Sequence, residues 1–274
     1  MTVLRERMRM NTRILVAAVG IPLIILIILY SPRLVICAAL CVLAGLAGME
    51  LQQCVSGERR GVMVAVSAVL PAVTVARYYW TPETPVALWT LEVMLLFAYA
   101  VSQGGKVKFE QIAAALFSAT AVACSFASFL RMDGGGVHRA LLLLPFVLSF
   151  SCDSGAYLAG RAFGRHKLAP VVSPHKTVEG AIGGLLGNVI GGLAFAFLMR
   201  RFSIGGPGYW ETLTLALLCG VISQLGDLSF SLIKRQYGVK DYGRVFLAHG
   251  GVLDRFDSVL FVAPIVEYVC GMVA

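Results

Sequence analysis

The chain has 274 residues, 58% of them apolar and only 14% charged, where soluble domains carry charge on about a quarter of their residues. That balance excludes an ordinary soluble protein and leaves no length for a soluble domain beside the apolar runs. The formal charge of +8 would suit nucleic acid as a partner, but the cations stand at the ends of apolar runs, where a bilayer accounts for them and nucleic acid does not.

Crossing the hydrocarbon core takes about 20 mostly apolar residues in a helix, and nine stretches qualify, roughly 13–30, 34–55, 61–79, 85–102, 110–130, 138–160, 178–199, 209–233 and 251–273. The expected fold is therefore an all-α polytopic integral membrane protein of about nine transmembrane helices, one transmembrane domain over 1–274. Residues 1–13 are basic and precede an apolar run that lacks a small-residue cleavage pattern, so a retained first helix is expected, not a signal peptide. With the N-terminus in the cytoplasm, 17 basic residues fall at cytoplasmic ends and six (Arg33, Arg77, Arg131, Arg139, Arg200 and Arg201) fall opposite. This positive-inside bias sets the orientation.

Spans two to five hold little chemistry. Glu50 and Glu92 are carboxylates in apolar helices and by that fact functional candidates, though a place at the headgroup boundary or a partner within the bundle is the expectation for both. The aromatic residues of 77–85 suit interface anchors. The seven cysteines form no Cys-x-x-Cys pair and read as small buried apolar residues.

Span six ends with Asp153, Ser154 and Tyr157, then Arg161 and Arg165. The following loop carries Lys167, Ser173, Lys176 and Thr177. Thr177 suits the N-cap of the next helix, whose free N–H groups and dipole favour an anion. Span seven has Gly183, Gly187 and Gly191 four apart, a spacing that lets helix backbones approach closely, and its expected role is to hold the Ser173 loop against span eight.

Span eight places Ser223, Asp227, Ser231 and Lys234 at steps of four, four and three, along one helix face. A charge near mid-membrane costs about 2.5–3.5 kcal/mol on insertion scales, so Asp227 calls for a compensating partner. A basic loop with Lys234, Arg235, Lys240 and Arg244 follows, and the chain returns through His249, Gly250 and Gly251 to Asp254 and Asp257, three apart. Hard oxygen donors with Lys and Arg between them suit a divalent cation holding phosphate groups. The active-site loops are expected at about 160–178 and 234–251.

The order Ser231-x-x-Lys234-Arg235, Lys240-Asp241-x-Gly243, His249-Gly250-Gly251-x-x-Asp254-Arg255-x-Asp257, about a dozen positions in 27 residues, closely resembles the signature of the phosphatidate cytidylyltransferases, or CDP-diacylglycerol synthases. Asp153-x-Gly155-Ala156-Tyr157, Gly160-Arg161, Lys167-Leu168-Ala169-Pro170 and Ser173-Pro174-x-Lys176-Thr177-x-Glu179-Gly180 resemble a second region of that family. Leu247 departs, standing where the family usually has Pro or Gly.

The resemblance implies a nucleotidyltransferase of phospholipid biosynthesis that joins CTP to phosphatidic acid, giving CDP-diacylglycerol and pyrophosphate. It implies Mg²⁺ on Asp227 and Asp254, with Asp257 a further ligand or an outer partner, and a monovalent cation such as K⁺ beside it. Lys234, Arg235, Lys240 and Arg255 would neutralise pyrophosphate or the lipid headgroup. Lys167, Ser173, Lys176, Arg161, Asp153, Ser223, Ser231 and Asp241 would complete the substrate pocket, and His249 would be a phosphate donor or a loop-ordering residue. The partners are CTP, phosphatidic acid and the bilayer, with a homodimer left open. The implied place is a bacterial inner membrane with the site on the cytoplasmic side.

Two other classes fit less well. A transporter would gather its charges at mid-membrane and often repeats its halves, whereas these charges collect toward one face. A CDP-alcohol phosphotransferase would need a run of Asp-Gly-x-x-Ala-Arg that this chain lacks.

Overall fold

In a computed structural model the described residues are 20, 22–81, 86–243, 245 and 250–273. Residues 22–30 are helical (α1). They are followed by α2 (Arg33–Ser56), α3 (Val62–Trp80), α4 (Val86–Ser102), α5 (Phe109–Phe117), a π-helical turn (Ser118–Val122), α6 (Ala123–Gly134) and a 3₁₀ turn (Arg139–Leu143). After α7 (Leu144–Phe163) come β1 (Lys167–Ala169) and β2 (Ser173–Thr177), then α8 (Val178–Arg201), α9 (Tyr209–Gln236) and α10 (Leu253–Val273).

Among the described residues, six helical segments are long and apolar enough to cross a membrane: Arg33–Ser56, Val62–Trp80, Phe109–Gly134, Arg139–Phe163, Val178–Arg201 and Tyr209–Gln236. The architecture is that of an all-α polytopic membrane protein. The expected spans 85–102 and 251–273 appear as α4, which is shorter, and α10, which has Asp254 in its first turn. The expected first span is described only from residue 20 onward.

Local chemistry explains several boundaries. α2 begins after Pro32 and stops at Gly57, whose φ of 72° is left-handed and cheap only for glycine. The π turn lies where Ser118 and Thr120 donate their hydroxyls to the carbonyls of Ala115 and Leu116 at 2.9 and 2.7 Å, a bonding habit that disturbs the regular helix ladder. Pro145 sits in the first turn of α7, where its missing N–H is harmless.

Two compact units partition the chain. One comprises residues up to 127 together with 239–255. There α2 and α3 approach backbone to backbone: a Cβ on Gly48 would strike the Ser67 carbonyl. The buried Gln52 carbonyl accepts from the Ser67 hydroxyl at 3.2 Å beside this contact. A core of Met63, Leu96, Ala100, Ile112 and Ala115 joins α3, α4 and α5.

The other unit comprises 128–238 and 256–274. Its centre is α7 packed on α8, with Gly183 against Ala159, Gly187 against the Ser151 carbonyl and Gly191 against the Ser151 side chain. The glycine stripe of α8 is the close-packing face that its spacing suggested, and the helix it meets is α7. The reason is that α7 carries its own row of small residues, Ser151, Gly155 and Ala159, so two smooth faces meet. α9 is held by polar bonds instead: Asn188 Nδ2 donates to the Ala216 carbonyl at 2.8 Å and Gln224 Nε2 to the Ala181 carbonyl at 3.1 Å. Arg131 and Glu267 form a two-pronged ion pair, 2.5 Å at Nε and 2.7 Å at Nη2, that fastens α6 to α10 within this unit.

The Gly183 contact yields a direct test. Gly183→Val should lose about 1–3 kcal/mol through overpacking, read as a lower melting temperature of the purified protein in micelles. Gly205→Ala, facing open space, should melt within about 0.5 kcal/mol of the wild type.

Candidate functional site

The segment after α7 is an antiparallel hairpin, with Lys167 opposite Thr177 and Ala169 opposite Ser173. Ser173 and Lys176, expected on an open loop, thus lie on a strand. Pairing with Lys167–Ala169 satisfies backbone groups that a loop would leave to water, and so gives these side chains a fixed register.

The end of the hairpin behaves as the sequence suggests. Thr177 caps α8, its hydroxyl accepting from the Gly180 N–H at 3.1 Å. Glu179 reaches back to the Arg165 and His166 N–H groups at 3.0 and 3.2 Å and to His166 Nδ1 at 2.6 Å. The chain leaving α7 is pinned to the start of α8 by these contacts.

Lys176 is the residue of the hairpin that meets α9. Its Nζ stands 2.5 Å from Asp227 Oδ2, both side chains about a quarter exposed, at 25% and 26%. Asp227 Oδ1 accepts from the Ser231 hydroxyl at 3.2 Å, one helical turn on. The polar face read from the sequence is real: Ser223, Ser231 and Lys234 are buried along it, Lys234 at 8% exposure. Lys234 and Arg235 belong to the last turn of α9 and not to a loop. The helix continues past the apolar run because Arg235 Nε donates to the Val172 carbonyl at 3.2 Å, tying its end to the hairpin turn.

Asp257 on α10 lies within electrostatic reach of Asp227, Asp153 and Lys234. Gly226 permits this approach, since a Cβ there would come within 2.8 Å of the Asp257 carbonyl and 3.0 Å of the Phe261 ring. Ser223 adjoins the Cys152 thiol, and its hydroxyl oxygen is buried without a nitrogen or oxygen partner. Within this unit the fold therefore assembles Asp153, Asp227, Asp257, Lys176, Lys234, Ser223 and Ser231 from four elements. Arg161 and Lys167 are exposed, Arg161 donating to the Tyr157 hydroxyl at 3.3 Å.

The remaining expected residues belong to the other unit. Lys240, Asp241 and Arg255 are exposed. Asp254 Oδ2 accepts from the Tyr242 and Gly251 N–H groups at 2.8 and 2.9 Å. His249, Arg244 and Leu247 lie outside the described residues. Glu50, a candidate for which the sequence led to the expectation of a headgroup-boundary place or a partner within the bundle, is 1% exposed and accepts from the N–H groups of Val252 and Leu253, each at 3.0 Å. The signal was present: no cation stands within a turn of Glu50 along its helix, so its partner had to come from elsewhere in the chain.

No group of three or more His, Cys, Asp or Glu among the described residues forms a metal cage. Asp227 and Asp257 supply hard oxygen donors, and Lys176 and Lys234 supply cations for phosphate. The described arrangement thus brings carboxylates, cations and hydroxyls together on one polar face.

The chain is similar in sequence to known proteins. The sequence model described as the cytidylyltransferase family matches residues 11–273. A phosphatidate cytidylyltransferase of Staphylococcus haemolyticus (strain JCSC1435) is 39% identical over 173 residues, 63% of this chain and 64% of that protein. One of Staphylococcus aureus (strain COL) is 40% identical over the same length and shares, and one of Staphylococcus epidermidis (strain ATCC 35984) is 36% identical. The chain thus spans 64% of the length of each of these relatives. With the match running through nearly all its residues and through both motif regions, the chain belongs to the cytidylyltransferase family.

Proposed function

We propose that the chain is a phosphatidate cytidylyltransferase that joins CTP to phosphatidic acid in the synthesis of phospholipids. The observation that carries this reading is the Lys176–Asp227 pair, a cation and a carboxylate from the two motif regions meeting on a polar helix face. The printed names of the relatives support it.

In the reaction a phosphate oxygen of phosphatidate attacks the α-phosphorus of CTP. A new P–O bond forms, the α–β phosphoanhydride bond breaks, and pyrophosphate leaves with the bonding electrons. A phosphate monoester has its second pKa at about 6 and is largely dianionic near neutrality, so the nucleophile requires no general base. What it requires is charge neutralisation and alignment.

Lys176 and Lys234 supply cations beside Asp227, and Arg235 carries a further one at the end of α9. The Ser173 and Ser231 hydroxyls are donors of the kind that orient phosphate oxygens. Asp227, with Asp257 near it, would hold Mg²⁺; Asp254 and Arg255 are proposed for the reaction on the ground of the motif resemblance. When bound, that ion would supply Lewis-acid neutralisation of the phosphate oxygens. The pairing of Lys176 with Asp227 then has a simple role: each keeps the other's charge compensated until substrate oxygens and a cation replace them. An ion pair a quarter exposed is weak enough to be exchanged in this way.

The first test is Asp227→Asn, which keeps the size and one oxygen but removes the charge. CDP-diacylglycerol formation per folded molecule should fall at least about a hundredfold, the scale of losing one preorganised electrostatic contact, and should not recover on Mg²⁺ titration. Folded yield should be kept, because the stranded Lys176 can reach water. Near-normal turnover would remove Asp227 from the site.

Lys176→Ala tests the hairpin separately. It should raise the KM for CTP and lower kcat/KM about tenfold with the melting temperature unchanged, and unchanged kinetics would return the hairpin to a structural role.

The orientation is tested with cysteines introduced at Lys240, Ser173 and Ser203 in a background cleared of accessible native cysteines. The 17 to six division of basic residues places the first two in the cytoplasm and Ser203 outside. An impermeant thiol reagent should label Ser203 alone from the outer side, and labelling of Lys240 or Ser173 from that side would refute the proposed topology.

A further inference from the structure

Glu50 is the most completely buried carboxylate among those described, at 1% exposure near the end of α2. A charge taken out of water must be met by donors or cations. Two backbone N–H groups meet this one: Val252 donates to Oε1 and Leu253 to Oε2, each at 3.0 Å. These are the first N–H groups of α10, which begins at Leu253. They have no carbonyl of their own helix to bond and stand at the positive end of its dipole.

Two described glycines ahead of that helix start are shaped to the same carboxylate. A Cβ on Gly243 or on Gly251 would strike the Glu50 oxygens, so both positions admit only glycine while Glu50 stays in place. Gly250 has a left-handed φ of 85°, and a Cβ there would stand 2.7 Å from Asp254 Oδ2. Asp254 Oδ2 then accepts from Tyr242 and from Gly251. Two carboxylates thus clasp both ends of the 243–251 segment, and Asp254 and Arg255 project from the turn that Glu50 holds.

We propose that Glu50 is a positioning residue for the reaction, its buried carboxylate setting where Asp254 and Arg255 stand by anchoring the first N–H groups of α10. The inference rests on the phosphatidate cytidylyltransferase reading above. It assigns Glu50 no contact with substrate. A shift of about 1 Å in a catalytic group is enough to cost about a hundredfold in rate.

The decisive variant is Glu50→Gln, which keeps the length and one acceptor but turns an amide NH₂ toward a backbone N–H. Wild type, Glu50→Gln and Glu267→Gln are purified in detergent, and kcat and KM for CTP are measured per folded molecule beside the melting temperature. Glu267→Gln breaks the Arg131 pair and is the control for a half-buried carboxylate with a structural role alone: it should melt earlier with kcat unchanged.

For Glu50→Gln, kcat should fall by about ten- to a hundredfold with the KM for CTP within about threefold. A Glu50→Gln enzyme that melts earlier but keeps kcat within twofold, as the control does, would overturn the proposal. If Glu50→Gln does not fold, Gly251→Ala displaces the same carboxylate without removing its charge. Its kcat should fall and should rise again in the Gly251→Ala/Glu50→Asp double variant, whose shorter side chain vacates the space. Wild-type kcat in Gly251→Ala, or no recovery in the double variant, would equally overturn it. Wild type is assayed first, because absence of CTP-dependent CDP-diacylglycerol formation there defeats the proposed function and not the placement of Glu50.

Discussion

A carboxylate inside an apolar bundle has to be met by donors or cations, and much of this chain's functional geometry follows from that requirement. Asp227 is met by Lys176 and Ser231, Glu50 by two N–H groups, and Glu267 by Arg131. Apart from the Asp227–Ser231 bond within α9, each contact joins elements distant in sequence. Since an unmet charge would cost several kcal/mol in such surroundings, these contacts decide how the helices and the hairpin are placed within their own unit.

The three differ in what they are suited for. The Arg131–Glu267 pair is two-pronged, with planar groups held at two points, and behaves as a fastener. The described Glu50 contacts are with backbone N–H groups, and they define a backbone turn. Lys176 and Asp227 are joined through a single contact and remain partly exposed, which leaves both able to take new partners.

Close packing supports this arrangement. The small-residue faces of α7 and α8 meet with almost no side chain between them, so the hairpin joining the two helices is held at a short, definite distance from both. Thr177 and Glu179 bind its ends by capping bonds. A hairpin fastened in this way can carry Lys176 to α9 with little loss of conformational freedom on binding, which is the condition for using a flexible lysine in a site.

Periodicity and composition by themselves determined the membrane class, most of the helical segments, the polar face of α9 and the capping role of Thr177, because these depend on residues close in sequence and on helix geometry. Sequence also determined the family, through the spacing of charged and glycine residues around Asp153 and Asp254. It did not determine that Ser173–Thr177 is a strand, because a five-residue polar segment has no pattern of its own and takes its state from pairing with Lys167–Ala169. Nor did it determine that the glycine stripe of α8 faces α7, since small residues show that a helix can be approached closely without showing by which neighbour. The role of Glu50 was the furthest from reach. Its partners are main-chain N–H groups 202 and 203 positions away, and a backbone amide carries no mark in the sequence, so only the tertiary structure could decide which turn that carboxylate holds.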